Sequence, residues 1–136
     1  MGMIFDTSIW VGLATSQISG QAVHQATGDE SVYISAISLG ELNFGVESCN
    51  DPVKRILRMR FLRNYEQRPV LDVTAKTASA FGFLAAFMKQ SGRSPRTRVN
   101  DLWIAAQAIE NDFALLTTNI KDFEGLPSLR VADVVS

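Results

Sequence analysis

Short apolar runs alternate with longer amphipathic stretches along the whole chain. The runs are rich in Val, Ile, Leu and Phe, which is typical of buried strands. They lie at 3–5, 32–35, 70–73, 113–117 and 129–131. Apolar residues at helical spacing occupy about 9–14, 20–27, 38–48, 53–66, 74–90 and 100–111. This alternation predicts an α/β fold, with a parallel sheet covered by helices on both faces.

Polar residues mark where several of these helices begin. Ser38 and Glu41 match the capping box Ser-x-x-Glu, in which the side chains close free backbone N–H groups of the first turn. Asp6 follows the first strand directly, and Asn100–Asp101 precedes a helical pattern. Thr74 stands before the longest helical stretch. Each of these residue types is a common N-cap, so each has a structural explanation.

Size and composition describe an ordinary globular protein. The 136 residues fit one domain, 1–136, and are 46% hydrophobic and 20% charged. No apolar run approaches the roughly 20 residues that span a bilayer. A single cysteine, Cys49, excludes an internal disulfide and favours a reducing compartment, the cytoplasm. The single histidine, His24, excludes sites built from several histidines.

The basic residues are unevenly distributed, although the net charge is only −1. Most of the 13 lysines and arginines lie between Lys54 and Arg98. Such a face is compatible with binding a phosphate backbone, but also with a solvated helix surface. Arg93, Arg96 and Arg98 shortly precede Asp101, a placement that favours steering a nucleic-acid strand toward that acid.

Four acidic residues occupy comparable positions in the predicted fold. Asp6 ends the first strand, Glu41 lies in the helix after the second, and Asp122 follows the fourth. Asp101 shares a helical face with the apolar Ile104, which docks that helix on the sheet. The carboxyl ends of parallel strands form one rim, where ligands bind. We therefore expect the acids to gather there.

Gathered carboxylates repel one another unless a cation lies between them. Mg²⁺ and Mn²⁺ prefer such oxygen ligands, and they assist phosphodiester cleavage without any histidine. Capping explains each acid at least as well when it is considered alone. For four acids at one rim, the metal site is the better interpretation.

Four sequence blocks resemble the PIN-domain ribonucleases, specifically the VapC toxins of bacterial toxin–antitoxin pairs. They are Ile4-Phe5-Asp6-Thr7-Ser8, Ile34-Ser35-x-x-Ser38-x-x-Glu41-Leu42-x-x-Gly45, Asn100-Asp101-Leu102-Trp103-Ile104-Ala105-Ala106 and Thr117-Thr118-Asn119-x-x-Asp122-Phe123. The resemblance covers nearly the whole chain. It implies a three-layer PIN-like fold around a mainly parallel five-stranded sheet, and a Mg²⁺- or Mn²⁺-dependent endoribonuclease.

The resemblance also implies roles for individual residues. It places Asp6, Glu41 and Asp101 as catalytic and metal-binding acids. Asn119 or Asp122 completes the site, and because many relatives have Asp where Asn119 stands, one metal and two metals both stay open. The hydroxyls implied to orient the acids or metal-bound water are those of Thr7, Thr117 and Thr118.

The family further implies a VapB-type antitoxin partner and a homodimer. One helix supports a contact with another chain independently, because Phe83 and Phe87 lie outside its apolar stripe. The alternative is a helix buried on most sides. Two other functions compete with the toxin: a catalytically weak binding module that acts through its antitoxin, and a housekeeping nuclease of RNA processing. The sequence does not name the RNA.

Overall fold

Five parallel strands form the centre of the molecule in a computed structural model that describes residues 2–134. They are β1 (Gly2–Phe5), β2 (Ser31–Ser35), β3 (Val70–Leu71), β4 (Ala114–Thr117) and β5 (Val131–Asp133). Their order across the sheet is β3-β2-β1-β4-β5, and each neighbouring pair is parallel. The predicted five-stranded parallel sheet is confirmed.

Helices occupy the segments between the strands, as the periodicity predicts. They are α1 (Thr7–Ala14), α2 (Gly20–Thr27), α3 (Ala36–Glu47), α4 (Pro52–Tyr65), α5 (Ala75–Gln90) and α6 (Val99–Asn111). Two short 3₁₀ turns, Pro95–Arg98 and Ile120–Phe123, precede α6 and follow β4. Within residues 2–134, no helix is long and apolar enough to cross a bilayer.

Two hydrophobic cores lie on opposite faces of the sheet. Successive strand residues point to opposite faces, so Ile4 of β1 joins the core under α5 and α6, while Met3 and Phe5 join the core under α1 and α2. On β4, Leu115 and Leu116 divide in the same way. The molecule is therefore built of three layers, with the sheet in the middle.

Two edge strands differ from their predicted bounds. The third run predicts a strand or extended link over 70–73, but β3 contains only Val70–Leu71. The last run predicts 129–131, whereas β5 covers Val131–Asp133. Both strands lie at the sheet edges, where one side has no hydrogen-bonded neighbour to define the ladder. The single domain predicted for 1–136 stays a prediction, and residues 1, 135 and 136 lie outside the described range.

The predicted caps at the acids are wrong. Helix α3 begins at Ala36 with Ser35 as its N-cap, so Ser38 and Glu41 lie inside the helix and form no capping box. Helix α6 begins at Val99, and Asp101 lies in its first turn rather than at the cap. Asp6 holds the N-cap position of α1, but its side chain makes no capping hydrogen bond. Thr74 does cap α5, as predicted.

Helix α4 leaves most of its predicted apolar stripe exposed. Leu62 is buried, but Ile56 and Leu57 are 54% and 49% exposed, and Phe61 is 37% exposed. On α3, Phe44 is 73% exposed, although it lies in a stretch where helical spacing predicts an inward-facing apolar stripe. These side chains lie around the α3–α4 hairpin. It therefore presents apolar surface that the described part of the chain does not cover.

The two phenylalanines of α5 have different environments. Phe83 is 53% exposed, as the pattern predicts. Phe87 is half-buried and packs against the core under α5 and α6, so its predicted exposure is wrong. Helix α5, with 16 residues, packs mainly against α6. It therefore buries more of its circumference than the single apolar stripe, and this wider buried face includes Phe87.

Candidate active site

The centre of the candidate site is the gap between the carboxyl ends of β1 and β4. From β1 the chain runs outward to β2 and β3, and then crosses back to β4 and β5. The strand order therefore reverses beside β1, and an open α/β sheet forms a crevice at such a point. Asp6 follows the last residue of β1, and its backbone N–H donates to Leu116 O of β4 at 2.8 Å. The sheet itself positions this acid.

The Asp6 carboxylate is buried, with 3% exposure, and is held by hydroxyl groups. Thr117 Oγ1 donates to Asp6 Oδ2 at 2.8 Å, and Ser8 Oγ donates to the same oxygen at 2.9 Å. Thr117 Oγ1 in turn accepts from the backbone N–H of Asn119 at 3.0 Å. Among the described residues, no hydrogen bond uses Oδ1. One oxygen is thus fixed and the other is left for a ligand.

Glu41 is held by a second set of hydroxyls that joins α1 to α3. Thr7 Oγ1 donates to Glu41 Oε1 at 2.7 Å and lies 2.8 Å from Ser38 Oγ. Because the single Thr7 proton goes to the carboxylate, the Ser38 hydroxyl donates to Thr7. Ser38 is fully buried one helical turn before Glu41. Ser38, which the sequence pattern predicts as a helix cap, therefore orients Glu41 through Thr7.

Asp101 is the acid that its neighbours affect most. Burial, together with the carboxylates of Asp6, Glu41 and Asp122, raises the pKa of its carboxyl from 3.8 to about 6, although the Arg98 guanidinium acts to lower it. These three acids lie on different elements and act on one carboxyl. The structure thus brings together the four acids that the sequence predicts at this rim.

Arg98 lies among the acids as a counter-ion. Its Nη1 is 2.8 Å from Asp122 Oδ2 and 3.6 Å from Asp101 Oδ2. The other two arginines assigned to this loop are placed differently. Arg93 Nη1 donates to the Glu124 backbone carbonyl at 3.1 Å, and Arg96 is exposed. Only Arg98 of the three therefore contacts the acids.

Asn119 and Thr118 lie at the exposed edge of the site. Asn119 is exposed, and its side chain makes no capping hydrogen bond with the 3₁₀ turn that follows. Thr118 Oγ1 donates to Ser8 Oγ at 3.0 Å, which extends the chain of hydroxyls that reaches Asp6. Asp122 is more enclosed, with a side chain that is 22% exposed and paired with Arg98. Either residue can reach the rim with an oxygen atom.

The donor set fits a hard divalent cation. The four acids supply carboxylate oxygens and no sulfur or imidazole, as Mg²⁺ and Mn²⁺ prefer. Burial and repulsion by the other acids both raise the pKa of Asp101, and a bound cation would relieve the repulsion. Among residues 2–134, no three acidic, histidine or cysteine side chains converge closely enough to hold an ion as they stand. The carboxylates must therefore draw together for an ion to bind.

Sequence reasoning missed two positioning residues, Ser8 and Ser38. Ser8 lies two residues after Asp6, and its hydroxyl turns back to the carboxylate. Ser38 was interpreted only as a cap. A signal for Ser38 does exist, because it lies three residues before Glu41 and residues at that spacing share a helical face.

A large groove is lined by residues other than the four acids. It has a volume of about 820 Å³ and lies between α2 and α4. Its lining includes Val23, Leu57 and Phe61, together with Arg60 and Arg68. Apolar walls with a basic edge suit a peptide better than a metal or a phosphodiester. We place the chemistry at the acids, since this groove contains only one carboxylate, that of Glu30.

Comparisons of sequence agree with this geometry. The PIN domain family matches residues 3–128. Ribonuclease VapC of Rickettsia bellii is 33% identical over 140 residues, covering 98% of this chain and 97% of that protein. Ribonuclease VapC1 of Rickettsia felis is 31% identical over 136 residues, covering 100% of this chain and 98% of that protein.

Comparisons of structure give the same grouping. The crystal structure of VapBC2 from Rickettsia felis, bound to a DNA fragment from their promoter, superposes with a TM-score of 0.84 at 27% identity over 98% of both chains. VapBC-1 from nontypeable Haemophilus influenzae superposes with a TM-score of 0.83 at 25% identity over 100% of both chains. The chain belongs to the PIN-domain family, within its VapC group.

Proposed function

We propose that this protein is the toxin of a toxin–antitoxin pair and cuts RNA at a divalent-metal site formed by Asp6, Glu41 and Asp101. The observation that carries the site assignment is the convergence of acids from three separate elements on Asp101. Ribonuclease activity follows from the VapC relatives, which cover the chain nearly end to end. Capping no longer competes as an explanation, because none of the three carboxylates caps a helix.

Each acid has a distinct part in the proposed reaction. Asp6 presents its Oδ1 from a carboxylate that Ser8 and Thr117 hold in one orientation. Glu41 is aimed by Thr7, and Asp101 supplies the third carboxylate from α6. A bound Mg²⁺ or Mn²⁺ would activate water and offset charge on the phosphodiester.

The remaining polar residues act at the edge of the proposed site. Asp122 or Asn119 completes the oxygen ligands, Asp122 with a charge and Asn119 with an amide. Arg96 and Arg98 lie on the same 3₁₀ turn at the mouth of the site, where cations attract the RNA backbone.

The experiment that tests this function is cleavage of single-stranded RNA by purified protein. We expect cutting with Mg²⁺ or Mn²⁺, none in EDTA, and much slower cutting by Asp101→Asn. Asp112→Asn is a matched control, because Asp112 is an exposed acid that pairs with Arg130 at the other end of α6. Full cleavage in EDTA, or by Asp101→Asn, would refute the proposed site. Comparison of the two ions distinguishes Mg²⁺ from Mn²⁺ as the preferred metal.

An antitoxin is the partner of this toxin, as in the related VapBC complexes. We propose that the antitoxin peptide occupies the groove between α2 and α4. Leu57 and Phe61 give that groove an apolar wall, and both are exposed in the free chain. Arg60 and Arg68 favour a peptide that carries acidic residues.

The groove and the acids can be tested independently. We expect Leu57→Glu to weaken antitoxin binding by at least about tenfold, because it buries a charge against an apolar partner. RNA cleavage by the free variant is expected to be unchanged. Phe83→Ser on α5 tests a different surface, the proposed homodimer contact, and is read as mass by light scattering. Unchanged antitoxin affinity in Leu57→Glu would place the peptide elsewhere.

A further inference from the structure

Arg98 places a positive charge where the proposed metal site needs one. It is the last residue of the 3₁₀ turn Pro95–Arg98, and α6 begins at the next residue. This short connection fixes the backbone of Arg98 three residues before Asp101. The guanidinium then turns back over the acids, reaching Asp122 at 2.8 Å and Asp101 at 3.6 Å.

The contacts of Arg98 are unlike those of its neighbours on the same turn. In residues 2–134, Asp101 and Asp122 are its ion-pair partners, and no hydrogen bond ties its side chain to a backbone carbonyl. Arg93, by contrast, donates to the Glu124 carbonyl and thus fastens the loop. The Arg98 side chain is 49% exposed, so it can move into solvent without opening the core.

Arg98 and a divalent cation would bind the same carboxylates. Both are attracted to the group of carboxylates around Asp101, and both offset the repulsion within it. A guanidinium carries one charge spread over a plane, whereas Mg²⁺ and Mn²⁺ carry two charges on a compact ion. A divalent cation on these two carboxylates would be repelled by the guanidinium beside it, so each cation weakens binding of the other.

We propose that Arg98 is an internal counter-ion that competes with the divalent cation for Asp101 and Asp122, and so sets the cation concentration at which the site is loaded. This inference rests on the proposed function, since it needs a metal at these acids. It makes Arg98 a residue with two positions. It lies on the carboxylates in the metal-free protein, and it turns away to the mouth of the site when the metal binds.

Calorimetric titration of the full chain with Mn²⁺ alone tests the competition without any RNA. We expect Arg98→Gln to bind Mn²⁺ about tenfold more tightly than the wild type, the scale typical of residues that contact metal ligands. Arg98→Lys keeps the charge and is expected to stay close to the wild type. Arg96→Gln is the matched control, because it removes an exposed arginine from the same turn and is expected to leave Mn²⁺ affinity unchanged.

Thermal unfolding supplies a second readout. Without metal, Arg98→Gln is expected to melt below the wild type, because the acids lose their counter-ion. With saturating Mn²⁺ the two proteins are expected to melt together or in reversed order. A residue that only braces the turn would lower both melting temperatures equally.

Several results would overturn the inference and leave the proposed function standing. Equal Mn²⁺ affinity in Arg98→Gln, Arg98→Lys and wild type would exclude competition. Weaker RNA binding by Arg98→Gln with unchanged Mn²⁺ affinity would make Arg98 a phosphate-binding residue only. If wild-type protein binds no Mn²⁺ and cuts no RNA, the proposed function itself fails, which is a different outcome.

Discussion

The two halves of the candidate site hold their carboxylates by different means. In the inner half, Asp6 and Glu41 accept hydrogen bonds from the hydroxyls of Ser8, Thr117 and Thr7. In the outer half, Asp101 and Asp122 share one guanidinium, that of Arg98. The neutral hydroxyls fix the direction of the carboxylate oxygens of Asp6 and Glu41. The Arg98 guanidinium only balances the charge of Asp101 and Asp122.

The inner half therefore determines the geometry of the site, and the outer half determines its charge balance. In the inner half, Asp6 and Thr117 lie at the centre of the sheet, where they are buried and cannot rearrange cheaply, while Glu41 and Thr7 are half-buried on α3 and α1. The outer half lies on a helix start and a 3₁₀ turn, and its side chains are 22% to 49% exposed. We therefore expect the inner half to define where a ligand binds. The outer half is expected to adjust how strongly it binds.

The largest effect is expected from Asp6→Asn. This change removes a buried charge whose position the sheet determines, and we expect cleavage of RNA to fall about a thousandfold, or about 4 kcal/mol of barrier. Asp122→Asn removes a charge from the outer half and is expected to cost only about tenfold. Initial cleavage rates at saturating Mn²⁺ measure both. Equal losses of cleavage rate in the two variants would show that the two halves of the site do not differ in this way.

Thr117→Val is expected to have the next largest effect. Valine has nearly the same shape, but it removes the donor to Asp6 Oδ2 and the acceptor for the Asn119 N–H. Loss of such a positioning hydroxyl is expected to weaken Mn²⁺ binding by about ten- to a hundredfold.

Thr118→Val is the matched control for Thr117→Val. Thr118 is exposed and donates to Ser8 rather than to a carboxylate. Calorimetry is expected to find its Mn²⁺ affinity within about twofold of the wild type, a difference of about 0.4 kcal/mol. A similar loss of Mn²⁺ affinity in both variants would mean that the two hydroxyls affect binding only by stabilising the fold.

The pH dependence of metal stabilisation tests the outer half. The pKa of Asp101 is raised from 3.8 to about 6 in the folded protein, so folding favours its protonated form. Without metal, its contribution to stability therefore falls as the pH rises from about 4 to about 6, and the full penalty remains above that window. A bound cation removes this penalty.

We accordingly expect Mn²⁺ to stabilise the protein more at pH 7.5 than at pH 5. At about a hundred times the dissociation constant, a ligand adds about 2.7 kcal/mol of stability. Melting curves with and without Mn²⁺ at both pH values measure the difference, and Asp101→Asn is expected to reduce it. If Mn²⁺ stabilises the protein equally at both pH values, metal binding does not depend on the ionisation of Asp101.

The smallest effect is expected from Ser8→Ala. Asp6 Oδ2 keeps the Thr117 donor, so the carboxylate loses one of two hydrogen bonds. We expect stability to fall by about 1 kcal/mol and cleavage to fall only a few-fold. Urea unfolding and initial rates check this. A loss as large as that of Thr117→Val would show that the two hydroxyls are equivalent.

Much of this architecture follows from local patterns. The apolar runs identify β1, β2 and β4 because strands buried on both faces must be continuously hydrophobic. The ends of parallel strands meet at one rim, so Asp6 and Asp122 could be assigned to the site before any coordinates. The prediction that Asp6, Glu41 and Asp101 hold the metal stays a prediction until the variants are measured.

Other features depend on distances that no local pattern contains. The capping box at Ser38 is wrong because the helix begins earlier, at Ala36, and Ser35 caps it instead. The exposure of Leu57 could not be foreseen either. A helical stripe shows that a face is apolar, but not whether the same chain or a partner covers it.

The hydrogen bond from Thr117 to Asp6 joins residues that are 111 positions apart. During synthesis, Asp6 therefore leaves the ribosome long before Thr117, the residue that orients it. A nascent or truncated chain that ends before β4 has no partner for Asp6 in the sheet. A chain that stops before residue 117 therefore lacks the hydroxyl that orients Asp6, and we expect such a chain to cut no RNA.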